Sequence, residues 1–455
     1  MQTRHSRLLS ALFLILLSSL VAAPPAVGTD FSGDFWTGSA ETTVERLIQS
    51  MSPEEIVSQL FMVSWPGTEP SQKLLDWVRN RGIGGVKIFG WNASNLQVMA
   101  STIGRMQQEA LRSRHGIPLF TATDQEGGWV RHVKGQTSVT PGNMAIGASG
   151  LPYDAYRSAK IIGKELRALG INMNFAPTVD VYVNPKAQVI GPRSFSDDPV
   201  QVGQLGAAYF EGLEETRVIA TAKHFPGHGN AAGDSHGTLP EMTGTMEELW
   251  NRDLVPYRFM IPEGLPAVMT GHLAFPTITD QSVPASVSPF FGEKVLRDRL
   301  NFEGLVITDD LYMGGATQYG RREGLSFAEL CLQALKSGND MIMLSQTTVF
   351  DGPIWQTVFR EYQRNEAFQR NVRESVRRIL RTKVEYLRPE DRVPLFPNPT
   401  ALPENLADSE SRQFFLEQAA RSVTVIRNED LPFTPSADTE ILLASQDSLF
   451  LKQGQ

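Results

Sequence analysis

Eight short apolar runs, several closing on polar residues, limit what this chain can fold into. They are "QLFMVSW" (59–65), "GGVKIFG" (84–90), "PLFTATD" (118–124), "NMNFAPTVDV" (172–181), "VIATAKH" (218–224), "AVMTGHL" (267–273), "GLVITDD" (304–310) and "DMIMLS" (340–345). None alternates strictly between apolar and polar, the pattern of strands buried on both faces. Between them lie longer stretches with apolar residues at helical spacing, such as "YDAYRSAKIIGKELRALG" and "PVQVGQLGAAYFEGLEE". Several of these end near glycine, a common helix stop. Eight such units point to an α/β fold of the (β/α)8 TIM-barrel type, with a doubly wound open sheet as the other arrangement. Polar residues gather where the strands end: "TATDQEGG", "KHFPGHG", "TGH" and "TDD". In a barrel that end of the strands carries the chemistry, so residues far apart in sequence would converge there.

A barrel absorbs about 250 residues as one domain, and the chain has 455. The barrel is expected over 45–388, with a long helical stretch at 355–386. Five prolines between 389 and 403 mark 389–404 as a Pro-rich linker. Residues 405–455 offer one helix and two strand candidates, "VTVIRNED" and "TEILLA". Two strands cannot bury a core alone. This end reads as the start of an incomplete C-terminal α/β domain, or as a tail packed on the barrel.

The N-terminus has Arg4, His5 and Arg7, then "LLSALFLILLSSLV", then "AAPPA". A basic start, a short apolar run and small residues describe a signal peptide over 1–23. A secreted or periplasmic protein is expected, with no stable membrane insertion after cleavage. Net charge is -8, so no basic footprint for nucleic acid exists. A single cysteine, Cys331, excludes an internal disulfide, and its setting in "FAELCLQALKSG" reads as a buried helix position. Nothing in the pattern sets an oligomeric state.

Three of the seven histidines fall in one glycine-rich stretch, "AKHFPGHGNAAGDSHG" (222–237). A metal site, an acid/base site and an ordinary loop are the competing readings. His224 and His228 have the i, i+4 spacing of a helical zinc pair, but proline and glycine between them oppose a helix. No metal and no cofactor is expected. Asp234 and His236 stand two apart, so the carboxylate can hold one imidazole nitrogen and fix the tautomer. Gly227, Gly229 and Gly233 would let this loop move over a ligand.

Other polar groups stand at strand ends. In "GLVITDDLYMGG", Asp309 and Asp310 close a strand, and neighbouring side chains on a strand point opposite ways, so one of them faces the site. In "TDQEGGWVRH", Asp124 and Glu126 meet two glycines, where a carboxylate can bind sugar hydroxyls. In "GPRSFSDDP", Arg193 offers a planar fork. Each also has a plain reading: an aspartate as helix cap, His272 as a core histidine bonded to backbone, Arg193 paired with Asp197 or Asp198. Their joint position at strand ends is what argues for a site.

Together, "DQEGG", "RSFSDDP", "KHFPGHGNAAGDSH" and "FEGLVITDDLYMGGA", in that order, resemble glycoside hydrolase family 3 in its β-N-acetylhexosaminidase branch. The resemblance runs over about 59–386. It implies a (β/α)8 barrel, often followed by an α/β sandwich domain. It implies Asp309 as nucleophile, His236 as acid/base with Asp234 as its partner, and Lys223, His224, Arg193 and Asp124 as sugar-binding residues. The family's next sugar-contacting arginine corresponds to His132, with Arg131 beside it and Trp129 where a basic residue is common. Either Arg131 takes over that contact or the sugar contacts differ. The implied activity is exo-acting retaining hydrolysis of terminal non-reducing N-acetylhexosamine from a carbohydrate substrate such as peptidoglycan or chitin fragments. A β-glucosidase-type enzyme, a non-catalytic carbohydrate-binding homologue and a metal-dependent hydrolase are the alternatives, and phosphate is a possible acceptor in place of water.

Overall fold

The computed structural model describes Phe31 and residues 33–347 and 352–425. The expected signal peptide, most of "VTVIRNED" and all of "TEILLA" lie outside the described residues. Ten strands form: β1 (Phe61–Val63), β2 (Gly85–Ile88), β3 (Phe120–Thr123), β4 (Gln125–Gly127), β5 (Val130–Arg131), β6 (Met173–Asn174), β7 (Ile219–Phe225), β8 (Ala267–Thr270), β9 (Leu305–Asp310) and β10 (Met341–Leu344). Eight of them, all but β4 and β5, close a parallel barrel in chain order. Closure comes from β1, which pairs with β10 through Phe61 and Ile342 and with β2 through Met62 and Gly85. All eight apolar runs supply a barrel strand, so the open sheet is excluded.

Val86, Ile88, Phe120, Val306, Ile307 and Ile342 are fully buried. Burying each such side chain contributes about 1.5–3 kcal/mol. The surrounding helices are amphipathic: Pro152–Ala168 buries Ala155, Ala159, Ile162 and Leu166, spaced three or four apart. Helix starts are capped, as at Ser326, whose hydroxyl accepts from the Glu329 amide while the Glu329 carboxylate accepts from the Ser326 amide. That helix carries Cys331, buried and unpaired with any other cysteine.

Two expectations change. The long helix at 355–386 is two helices, Pro353–Arg364 and Glu366–Leu387. Asn365 divides them because its side chain accepts from the Phe368 amide at 3.1 Å and starts the second helix afresh. The stretch 389–404, expected as a linker, lies along the barrel instead. Val393, Leu395 and Leu402 interrupt its prolines and are buried. The helix Ser409–Arg421 also docks on the barrel unit. Phe414 and Phe415 pack against Ile161, and Arg421 forms a two-pronged pair with Asp154 at 2.7 and 3.1 Å. Residues 389–425 thus pack on the barrel unit, and the rest of the C-terminal end lies outside the described residues. Among the described residues no helix is long and apolar enough to cross a membrane.

Candidate active site

The C-terminal ends of the strands meet at one mouth of the barrel. Asp124 follows β3 and is fixed by its neighbours on both sides. The Gln125 amide donates to the Asn174 side chain on β6 at 3.0 Å, and the Gln125 side chain clasps the backbone of Val133. The β4–β5 hairpin turns sharply there, with Gly127 and Gly128 both at positive φ. Asp124 then takes two ammonium groups, Lys223 Nζ at 2.5 Å and Lys87 Nζ at 2.6 Å. Lys223 also reaches Glu126 at 2.6 Å, and Glu126 grips Arg193 through two parallel bonds at 2.8 and 2.9 Å.

Burial pushes both lysines toward neutrality. Lys87, whose attached carboxylate is Asp124 alone, stays below its ordinary value, whereas Lys223, lying between Asp124 and Glu126, ends above it. Burial likewise pushes the carboxyls up, but the charges of Lys223 and Lys87 hold Asp124 well below the usual range. Arg193 and Lys223 hold Glu126 at about 2.

His224 completes this wall. Asp180, just after β6, accepts from His224 Nδ1 at 2.7 Å, from the His224 amide at 3.2 Å and from the His228 amide at 2.6 Å. Because Nδ1 donates, Nε2 presents its lone pair to Arg193 Nη2 at 3.3 Å. Burial raises Asp180, and the two histidines bring it back to about 2. His228 serves a different end: its Nε2 meets the Ser235 hydroxyl at 3.0 Å, and burial beside His224 lowers it to about 4. The Lys223–His224 peptide is cis.

Asp309 and Asp310 divide as strand geometry requires. Asp310 turns outward and accepts from the Ser345 and Tyr312 amides at 3.0 and 3.2 Å. Asp309 faces the mouth. Burial raises its carboxyl, but the fields of His224, His272 and Lys223 hold it below its ordinary value, so it is ionised at neutral pH. His272 is a buried histidine bonded to backbone: its Nε2 donates to the Asp310 carbonyl at 2.9 Å, and its Nδ1 accepts from Ser286 at 2.7 Å. Three cations (Lys87, Lys223, Arg193) thus meet four carboxylates (Asp124, Glu126, Asp180, Asp309). The negative balance suits positive charge developing on a bound ligand.

Asp234 and His236 lie on the loop after β7, above this cluster. His236 Nδ1 donates to Asp234 at 2.7 Å, leaving Nε2 free on a side chain that is 63% exposed. Partial burial raises Asp234, but the His236 amide and ring outweigh it and keep the carboxylate ionised. The loop is anchored on the helix Gly314–Arg322, which follows the Asp309 strand after a short turn. The Gly314 amide donates to the His236 carbonyl at 2.8 Å, and the Gly315 amide to the Ser235 carbonyl at 2.9 Å. A Cβ at Gly314 would sit 2.4 Å from the Gly237 backbone, so only glycine admits this contact. Freedom of movement, expected of the loop glycines, is not what Gly229 supplies. A Cβ there would meet the Val181 carbonyl oxygen at 1.9 Å, so it serves close packing at the loop base.

The sequence-derived residues therefore separate into two groups. Asp124, Arg193, Lys223, His224 and Asp309 converge, and Asp234 with His236 forms a pair above them. His132 joins the first group, with Nδ1 3.2 Å from Lys87 Nζ and its ring tilted on Phe89. Burial and Lys87 lower it to about 4. Arg131 does not join. Its guanidinium pins the hairpin by donating to the Gly128 and Ser138 carbonyls. Arg193 pairs with Glu126 rather than with Asp197 or Asp198. Lys87 and Asp180 were missed, and Glu126 was seen but given no role. A lysine inside "GGVKIFG" is the available signal for the first, because a buried ammonium requires a carboxylate. Among the described residues, no three His, Cys, Asp or Glu side chains are placed to hold a metal ion.

Residues 53–382 match the family model of the glycosyl hydrolase family 3 N-terminal domain. The chain is 37% identical to Beta-hexosaminidase A of Pseudoalteromonas piscicida over 54% of its own length, and spans 44% of that protein. It is 35% identical to Beta-hexosaminidase of Tolumonas auensis over 62% of its length and 81% of the relative's. A family 3 β-N-acetylglucosaminidase from Paenibacillus sp. superposes with a TM-score of 0.74 at 33% identity, covering 84% of this chain and 70% of that one.

Proposed function

The chain belongs to glycosyl hydrolase family 3, and we propose that it is an exo-acting, retaining β-N-acetylglucosaminidase. The names of its relatives support hexosamine chemistry. The observation that carries the mechanism is the anchoring of the Asp234–His236 loop to the helix that begins at Gly314, five residues after Asp309. It joins a proton carrier to an ionised carboxylate at one barrel mouth.

In this mechanism the terminal sugar sits against Asp124, Lys223, His224, Arg193 and His132. The Asp309 carboxylate attacks the anomeric carbon as the glycosidic C–O bond breaks. His236 enters with Nε2 protonated and gives that proton to the leaving oxygen. It then takes a proton from an incoming water, whose oxygen attacks the same carbon and releases Asp309 as carboxylate. Asp234 holds Nδ1 throughout, so Nε2 alone exchanges protons. Arg193 and His224 act as a rigid unit, oriented by Glu126 and Asp180. The apolar N-terminal run would direct the protein to an exported location, where peptidoglycan or chitin fragments supply the substrate.

The purified full chain should release nitrophenol from nitrophenyl N-acetyl-β-glucosaminide and leave the nitrophenyl β-glucoside untouched. The reverse preference would make it a β-glucosidase-type enzyme. Binding of N-acetylglucosamine without turnover of either would make it a carbohydrate-binding homologue.

A further inference from the structure

Trp129 lies at the turn between β4 and β5, and its side chain is 74% exposed. Its indole makes no hydrogen bond and no ring contact among the described residues. A single exposed apolar side chain needs no occupant by itself, so what surrounds the ring carries the argument. The ring lines a cleft of about 600 Å3 together with Tyr182, Lys186, Gln188, Gly233 and Asp234.

The walls of this cleft say what it would hold. One wall contains Asp234, the carboxylate that orients the proton carrier His236. Another contains Val189, whose carbonyl accepts from Arg193 Nη1 at 3.0 Å, so it backs directly onto the sugar-binding cluster. The cleft therefore lies beside the loop of the acid/base pair and behind the backbone that holds Arg193, the side on which a leaving-group sugar would sit. The lining fits a sugar. The indole face is electron-rich and attracts the C–H groups of a pyranose face. Lys186 and Gln188, both exposed on the rim, can meet ring hydroxyls.

We propose that this cleft is the binding subsite for the sugar on the leaving-group side, with Trp129 as its stacking platform. The proposal rests on the β-N-acetylglucosaminidase reading and makes Trp129 a specificity residue for oligosaccharides over simple glycosides.

The test compares Trp129→Ala, Trp129→Phe and the wild type on two substrates that break the same kind of bond. Chitobiose carries a second sugar ring, and methyl N-acetyl-β-glucosaminide does not. In Trp129→Ala, kcat/KM for chitobiose should fall about tenfold, mainly through KM, while the methyl glycoside is turned over as before. Trp129→Phe should recover most of the loss. Unchanged turnover of the methyl glycoside also shows that the variant folds. An equal change on both substrates, or none on either, overturns the subsite while leaving the activity reading intact. A wild type inactive on both substrates overturns the activity reading and the subsite with it.

Discussion

Replacing Asp180 by asparagine removes one charge from the centre of the site and changes little else in volume. Asp180 accepts three hydrogen bonds, from the His224 ring, the His224 amide and the His228 amide. Asparagine keeps one oxygen for the two amides but turns a donor toward His224 Nδ1. The imidazole must then shift its proton to Nε2, where it meets the Arg193 Nη2 donor now at 3.3 Å. The electrostatic part follows from the carboxyl itself. A group moved from 3.8 to about 2 in the fold contributes about 2 kcal/mol of stability at neutral pH. Its folded value is depressed, so that contribution is complete above about pH 4 and is lost as pH falls through about 2. Asparagine does not titrate, and the other depressed carboxyls, such as Asp124, Glu126, Asp234 and Asp309, are present in both proteins and cancel. Urea unfolding of wild type and Asp180→Asn should differ by about 2 kcal/mol at pH 7, and the gap should close as pH falls from about 4 to about 2. At pH 7, kcat/KM on the nitrophenyl substrate should also fall, because His224 no longer presents an Nε2 lone pair to Arg193. A stability gap constant from pH 7 to pH 3, or unaltered kcat/KM, would refute this account of His224.

Glu126→Gln replaces one of the two acceptors facing Arg193 by a donor and leaves that buried guanidinium without a carboxylate, while Lys223 keeps Asp124, and should cost about 3–5 kcal/mol in denaturant unfolding. His236→Ala should lower kcat about 10²–10⁴-fold on a methyl glycoside and far less on a dinitrophenyl glycoside, whose leaving group needs no proton. Gly314→Ala forces the Gly237 backbone away and should reproduce that leaving-group dependence in weaker form, measured as a steeper dependence of kcat on leaving-group pKa.

The barrel was legible because strands buried on both faces leave continuous apolar runs, and each of the eight runs became a barrel strand. The polar residues at their ends marked the mouth for the same reason. Partnerships were less legible. Arg193 could be located from "GPRSF", but its choice of Glu126 over Asp197 depends on how the β4–β5 hairpin folds back, which no local pattern encodes. Asp180 lies near the end of the run "NMNFAPTVDV", but the strand itself stops at Asn174, so its place at the mouth depends on irregular backbone that the run does not specify. Arg131 was assigned by its position after the double glycine, and the hairpin twist sent its guanidinium to the Gly128 and Ser138 carbonyls instead. Prolines between 389 and 403 suggest a rigid linker, whereas the apolar residues among them seat that stretch on the barrel.

The claim on which the mechanism turns is that Asp309 forms a covalent bond to the sugar. A 5-fluoro-N-acetylglucosaminyl fluoride should react and leave the slowly hydrolysed ester on the enzyme, which peptide mass spectrometry can locate. The account predicts one sugar adduct per chain, on the Asp309 side chain, and none in Asp309→Ala. An adduct on a different residue, or turnover of N-acetylglucosaminides by Asp309→Ala at the wild-type rate, would contradict it.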